Sequence, residues 1–295
     1  MIIPTIVIPL GSGSTWENNE LRYMLRSLDV HLQFDYDVIL YCSEKVPWLN
    51  CKQVVVKREY PEKLFEYYNR HKHYENYYDV INKLTAALND DNVSDDFFFM
   101  YDDIVLLYDL YKPDLRKIYS GDHYDNNPKM YENKGKQKWM GTICKAMEIC
   151  KDYSYSRYNY ETHLPRYFNK QLLRKMFKKH NVESDYMPYA LSTVYYNMNF
   201  DKPDYVYAQK NNVKAGFYGG AYGVDGFIAE TEEQLKEAIK DKIWINYNNK
   251  GLTPVLQEFI ENQNVIRKRL NANAHSRPTR RRSIPTYGDP IVCWT

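Results

Sequence analysis

Two adjacent carboxylates, Asp102 and Asp103, follow an unbroken apolar run, Phe97–Met100, inside the stretch DDFFFMYDDIVLL at residues 95–107. The run has the character of a strand covered on both faces. A desolvated anion without a partner is very costly, so the pair does not belong inside such a strand. It fits the strand's carboxyl end, where open α/β sheets place their ligand crevice. There a hard divalent cation, Mg2+ or Mn2+, would balance the paired charge through oxygen ligands, with diphosphate oxygens filling other positions. The alternative is a strand ending in a solvated Asp-Asp turn, and spacing leaves both open.

Gly11, Ser12, Gly13 and Ser14 stand between a first strand and a first helix, at the same edge of the sheet. Their backbone amides and the helix N-terminus could meet an anion there. Arg22 and Arg26 lie one turn apart on that helix, so both guanidiniums could reach one phosphate or carboxylate. An ordinary solvated helix face explains the same spacing.

The elements that must position these groups follow from hydrophobic pattern. Residues 2–9 read as a strand, and Leu21, Leu25, Leu28 and Leu32 fall at helical spacing in NNELRYMLRSLDVHL, with Asn18 or Asn19 available as the cap. Strands are predicted at 35–43 and 52–59, a helix over 61–92, and a fourth strand in DDFFFMYDD. Strands alternating with helices argue for an α/β sheet with parallel members. Beyond residue 110 the pattern weakens: 121–138 is polar and lid-like, helices are expected at 139–151, 168–180, 231–240 and 254–270, and the glycine-rich 216–226 reads as a structural turn. The expected division is an α/β region over 1–120, a completing region over 121–265, and a basic tail over 266–295.

Lys and Arg total 40 against 38 Asp and Glu, a net charge of +2, so the chain as a whole is no polyanion binder. The 30 tyrosines supply rings able to pack or to stack on sugars and bases. Five scattered cysteines, with no CxxC pair, indicate neither a zinc knuckle nor a disulfide framework and fit a reduced, cytoplasmic protein (host cytoplasm if the source is viral). The apolar N-terminus is too brief for a signal peptide or membrane span.

Asn19–Leu28, reading NELRYMLRSL, resembles the "NELRYSLRS" signature of the Stealth family of sugar-phosphate transferases and their glycosyltransferase-like relatives. The resemblance continues in order through Pro47-Trp48-Leu49, Phe98–Asp103, Thr162–Pro165 and, more weakly, Ile243–Asn248. It implies a GT-A-like, Rossmann-like nucleotide-sugar fold with an appended, mostly helical acceptor region. Asp102 and Asp103 become metal and donor-diphosphate candidates, and Gly11–Ser14, Arg22 and Arg26 donor contacts. His163, Asp185 and Asp225 become candidate bases. Two departures stand out: Tyr101 replaces the family's asparagine, and the family's acidic opening motif is replaced by Ile6–Gly13. The second makes simple glycosyl transfer the expected reaction. Transfer of a sugar-1-phosphate to a surface polysaccharide is the alternative reading.

For the acceptor, Arg267, Lys268, Arg269, Arg277, Arg280, Arg281 and Arg282 form a basic tail suited to salt-sensitive phosphate contacts. SYSRYNY at 154–160 could stack on an extruded base. The expectation is therefore a hydroxymethylated base in viral DNA, with a glycan acceptor or a non-catalytic nucleic-acid-binding protein as alternatives.

Overall fold

The computed structural model describes residues 3–57, 72–121, 123–126, 128–129, 138–181, 189–200, 212–216, 225–262 and 291–292. The expected α/β sheet with parallel members is present. Its central strands are β1 (Thr5–Leu10), β2 (Asp37–Cys42), β4 (Lys52–Val55) and β5 (Asp96–Phe99), arranged β4-β2-β1-β5 and all parallel. β7 (Arg166–Asn169) closes the sheet beside β5, antiparallel to it. The short β3 (Leu49–Asn50) pairs instead with β11 (Ile291–Val292).

The first sheet is covered on both faces, which is why its strands read as continuous apolar runs. Side chains alternate between two cores. Val7, Ile39, Tyr41, Phe97 and Phe99 pack towards α2 (Lys72–Leu88), α4 (Lys138–Asp152) and α6 (Leu191–Asn199). Ile6, Ile8, Val38, Leu40, Phe98 and Met100 face Leu21, Met24, Leu25 and Leu28 of α1 (Asn19–His31). A second sheet runs β6-β10-β8-β9, built from β6 (Ile104–Leu106), β8 (Asn212–Ala215), β9 (Asp225–Phe227) and β10 (Trp244–Tyr247). It packs on α7 (Glu232–Ile239) and on α8, residues 254–262, around Val213, Leu235, Ile245, Leu256 and Ile260.

Several boundaries differ from the sequence expectation. The helix expected to run to residue 92 ends at Leu88. The Asp90 carboxylate accepts from Lys52 Nζ (2.7 Å), the Tyr41 hydroxyl (2.9 Å) and the Asn92 amide N–H (2.9 Å), which turns the chain there. The helix expected from 168 begins at Lys170 as α5 (Lys170–Lys179), because Arg166–Asn169 form β7 and pair with β5. Asn169 caps it, accepting the N–H groups of Gln171 (3.1 Å) and Leu172 (3.2 Å). α6, absent from the sequence reading, is Tyr-rich and buried along most of its length. α3 (Lys112–Leu115) is a single turn. Among the described residues no helix is long and apolar enough to cross a membrane.

Candidate functional site

The strand order reverses direction at β1: β2 and β4 lie to one side, β5 to the other. In open parallel sheets such a switch point opens a crevice at the carboxyl ends of the two central strands. Here a cleft of about 860 Å3 lies there. Gly11–Ser14, leaving β1, and Tyr101–Asp103, leaving β5, both line it.

The apolar run and the carboxylates occupy successive environments, as their chemistry requires. The Met100 N–H still bonds the Val7 carbonyl at 3.1 Å, so the ladder reaches that residue. Two residues later the chain is in a turn, and at Ile104 it enters the second sheet, where Ile104 is registered opposite Asn246. The aspartates thus sit where the chain passes from one sheet to the other. Asn246 is fully buried, and its Nδ2 donates to both the carbonyl (3.1 Å) and Oδ1 (3.1 Å) of Asp103. The Tyr247 N–H donates to the same carbonyl at 3.1 Å. Ionisation of the pair is opposed by its surroundings. Burial, then the charge of Asp103, push the Asp102 carboxyl up to about 7, with Glu20 adding to the effect. Burial also raises Asp103, although Lys214 and the Asn246 hydrogen bond work against the rise.

Two acids that sequence reasoning missed complete the polar wall: Glu20 from α1 and Asp79 from α2. Asp79 forms a buried i,i+4 ion pair with Lys83, whose ammonium also donates to the Leu10 carbonyl at 2.6 Å, tying α2 to the end of β1. The spacing Asp79–Lys83 was a legible signal for that pair. The Asn246 contact, formed across 143 residues, had only the weak Ile243–Asn248 motif to announce it. Lys250 also lines the cleft.

The Gly11–Ser14 loop is built differently. Gly11, Ser12 and Gly13 are exposed, and a Cβ added at Gly11 or Gly13 would meet nothing within 4 Å. Ser14 anchors the loop. Its hydroxyl accepts the N–H groups of Trp16 (3.1 Å) and Asn18 (2.8 Å) and donates to Glu20 Oε2 (2.7 Å). This corrects the expected helix cap: Asn18 is at the N-cap in a left-handed conformation (φ 58°) and makes no side-chain cap bond.

Arg22 and Arg26, expected at the donor phosphates, do not line the cleft. Glu20 faces the cleft, and Arg22 is two residues on, about 200° around the helix. Its guanidinium instead lies 4.3 Å from the centre of the Trp48 ring, and that of Arg26 lies 5.4 Å from the Tyr23 ring. Burial, reinforced by Arg22, lowers the Arg26 pKa.

Of the three candidate bases, His163 and Asp225 are among the described residues. His163 has a left-handed backbone (φ 54°), and its ring nitrogens lie 3.3 and 3.4 Å from Lys214 Nζ. Burial, then the Lys214 and Arg166 charges, hold it well below the usual histidine range. It is a neutral neighbour of a buried lysine and does not line the cleft. Asp225 opens β9, the far edge of the second sheet, three strand positions from β6. Asp185, residues 122, 127 and 130–137 of the lid-like 121–138 segment, most of the glycine-rich 216–226 turn, and all the arginines and lysine of the basic tail lie outside the described residues. Among the described residues no three His, Cys, Asp or Glu side chains converge as a metal site.

No family model and no curated protein matches this chain. Among solved structures it is similar to the galactosyltransferase LgtC in complex with donor and acceptor sugar analogues, at 9% identity and a TM-score of 0.46, covering 93% of this chain and 97% of that one. A structure of an active-site mutant of LgtC gives 11% identity and a TM-score of 0.44 over the same shares of the two chains.

Proposed function

We propose that the chain is a GT-A-like, Stealth-related glycosyltransferase that takes a nucleotide-sugar donor in the cleft between β1 and β5. The observation that carries the reading is the Asp102–Asp103 turn. It stands at the switch point of a parallel sheet, is fixed by Asn246 from the second sheet, and faces an open glycine loop across the cleft.

The residues present fit a divalent cation. Asp102 and Asp103 crowd two carboxylates together, and with Glu20 and Asp79 they line an acidic cleft. A cation would offset the repulsion and burial that hold the Asp102 and Asp103 carboxyls up. Asp102 and Asp103 would hold Mn2+ or Mg2+, with non-protein oxygens completing its ligands. When bound, the ion stabilises charge on the departing diphosphate.

The chain's own residues supply the rest. Exposed amides of Gly11–Gly13 and the Lys250 ammonium contact the donor's anionic groups. Asn246 and the Tyr247 amide hold Asp103 in place. In the reaction the acceptor hydroxyl oxygen bonds to the anomeric carbon, and the bond from that carbon to the diphosphate breaks with its electron pair on the diphosphate. The hydroxyl proton passes to a carboxylate of the cleft. Hydroxymethylated DNA, suggested by the basic tail, is the first acceptor to try.

Thermal unfolding with UDP, GDP and CDP, with and without Mn2+, tests the donor reading. One of the three should raise the Tm in a metal-dependent way. If none does, the reading fails. A screen of nucleotide sugars for hydrolysis then identifies the donor.

A further inference from the structure

Beside the cleft lies a second cavity of about 260 Å3. Val80, Ile81, Leu84, Phe99 and Phe168 give it apolar walls, while Glu161 and Arg166 are its charged groups. Tyr101, Val80 and Asn76 line both cavities, so the two are neighbours across the Tyr101 ring. Arg166 is 6% exposed. Its Nη1 donates to the Tyr101 hydroxyl at 3.0 Å and its Nη2 to Glu161 Oε2 at 2.7 Å. Its Nε finds no hydrogen-bond partner among the described residues. A buried donor left unmatched is costly, and this one stands beside a cavity whose occupant could supply its partner.

We propose that this chamber is the acceptor subsite and takes one flat, nucleobase-type ring. The inference rests on the cleft being the donor site. The volume lies below the roughly 300–1,000 Å3 of drug-sized pockets, so it suits one small ring system. A pyranose carries hydroxyls around its whole rim and would leave several of them against aliphatic and aromatic walls. A nucleobase has apolar faces and concentrates its polar atoms on its edges. The spare Arg166 donor and the neighbouring Glu161 carboxylate offer one donor and one acceptor, the complement of a base edge that sets an acceptor beside a donor, as ring N3 and the 4-amino group do in a cytosine. The shared wall at Tyr101 places a hydroxyl carried on such a ring next to the donor cleft. Tyr101 is the position at which this chain departs from the asparagine of the family it resembles, and here it supplies the partition between the two cavities.

A nucleobase ring could come from the acceptor or from the donor nucleotide, and the test separates them. Binding of 5-hydroxymethyl-2′-deoxycytidine, which has no phosphate, and of UDP with Mn2+ would be measured by ligand-observed NMR on the full chain and on Ala190→Leu, which adds bulk to the chamber wall. The expected result is that the variant binds the nucleoside at least about tenfold more weakly while UDP binding is unchanged. Nucleoside binding that survives the substitution, or its absence in the unmodified chain, overturns the proposal. Loss of UDP binding alone in the variant also overturns it, because the chamber would then hold the donor's base. Failure of UDP, and of GDP and CDP tried in its place, to bind the unmodified chain overturns the reading of the cleft, a separate outcome. Should Ala190→Leu not fold, photo-crosslinking of 5-iodo-2′-deoxyuridine to the unmodified chain decides. Adducts at Tyr101, Phe99 or Phe168 support the chamber, and adducts only elsewhere overturn it.

Discussion

At the carboxyl end of β5, Asp103 is held by the side chain of Asn246 and by the amide of Tyr247, and its pKa is displaced by what surrounds it. At the carboxyl end of β1, Gly11, Ser12 and Gly13 stand exposed, and a Cβ added at either glycine would meet nothing within 4 Å. Both segments line one cleft, and they are built to opposite specifications. Adjacent carboxylates resist being placed together, so their position has to be enforced by contacts from another sheet. A loop that presents backbone amides needs only to stay open, and anchoring at Ser14 suffices.

That contrast predicts which substitutions change binding and which change stability. The largest effect is expected from Asp103→Asn, which keeps the shape of the turn and removes half of the paired charge. Metal-dependent stabilisation by the donor nucleotide should weaken by at least about tenfold with the fold intact. An undiminished thermal shift would refute the assigned role. Next comes Asn246→Ala, which takes the side-chain donor away from the half-buried Asp103 and leaves its carbonyl only the Tyr247 N–H. It should cost about 1–3 kcal/mol of stability and also weaken donor binding, so a denaturant midpoint unchanged from the parent would break the idea of an enforced turn. Gly13→Ala should behave in the reverse way. Its Cβ meets no atom of the chain and its φ is not left-handed, so the Tm should stay put. Donor affinity should fall modestly, because the methyl enters space kept for the ligand. A fall in Tm without a change in affinity would mean that the loop is as tightly specified as the turn. The smallest effect is expected from Arg22→Ala: a loss of about 0.5–1 kcal/mol with its Trp48 contact, and unchanged donor affinity. Weaker nucleotide binding would return Arg22 to the donor site.

The same division governs how much could be read from sequence. β1, β2 and β5 were legible because strands buried on both faces announce themselves as apolar runs. The emergence of Asp102–Asp103 at a strand end followed from the cost of burying charge. β7 was masked because four residues of strand pass directly into a capped helix, and the short strands β8–β10 give no run long enough to carry a period. Arg22 and Arg26 were judged by their spacing to each other, when their angle to Glu20 decides which way they point. His163 shows the limit of reading by residue type: burial, then Lys214 from 51 residues further along the chain and Arg166 three residues on, lower the basicity that made it attractive.

The tie between Asp103 and Asn246 has a consequence for how the protein comes into being. A chain emerging from the ribosome presents both aspartates 143 residues before the asparagine that fixes them. At synthesis rates of about 5–20 residues per second, that interval lasts on the order of ten seconds. The parallel strands can assemble during it, but the carboxylate turn stays unfinished until β10 is made. On the proposed donor reading, competence to bind is therefore acquired late, when the far end of the molecule reaches back to complete the near one.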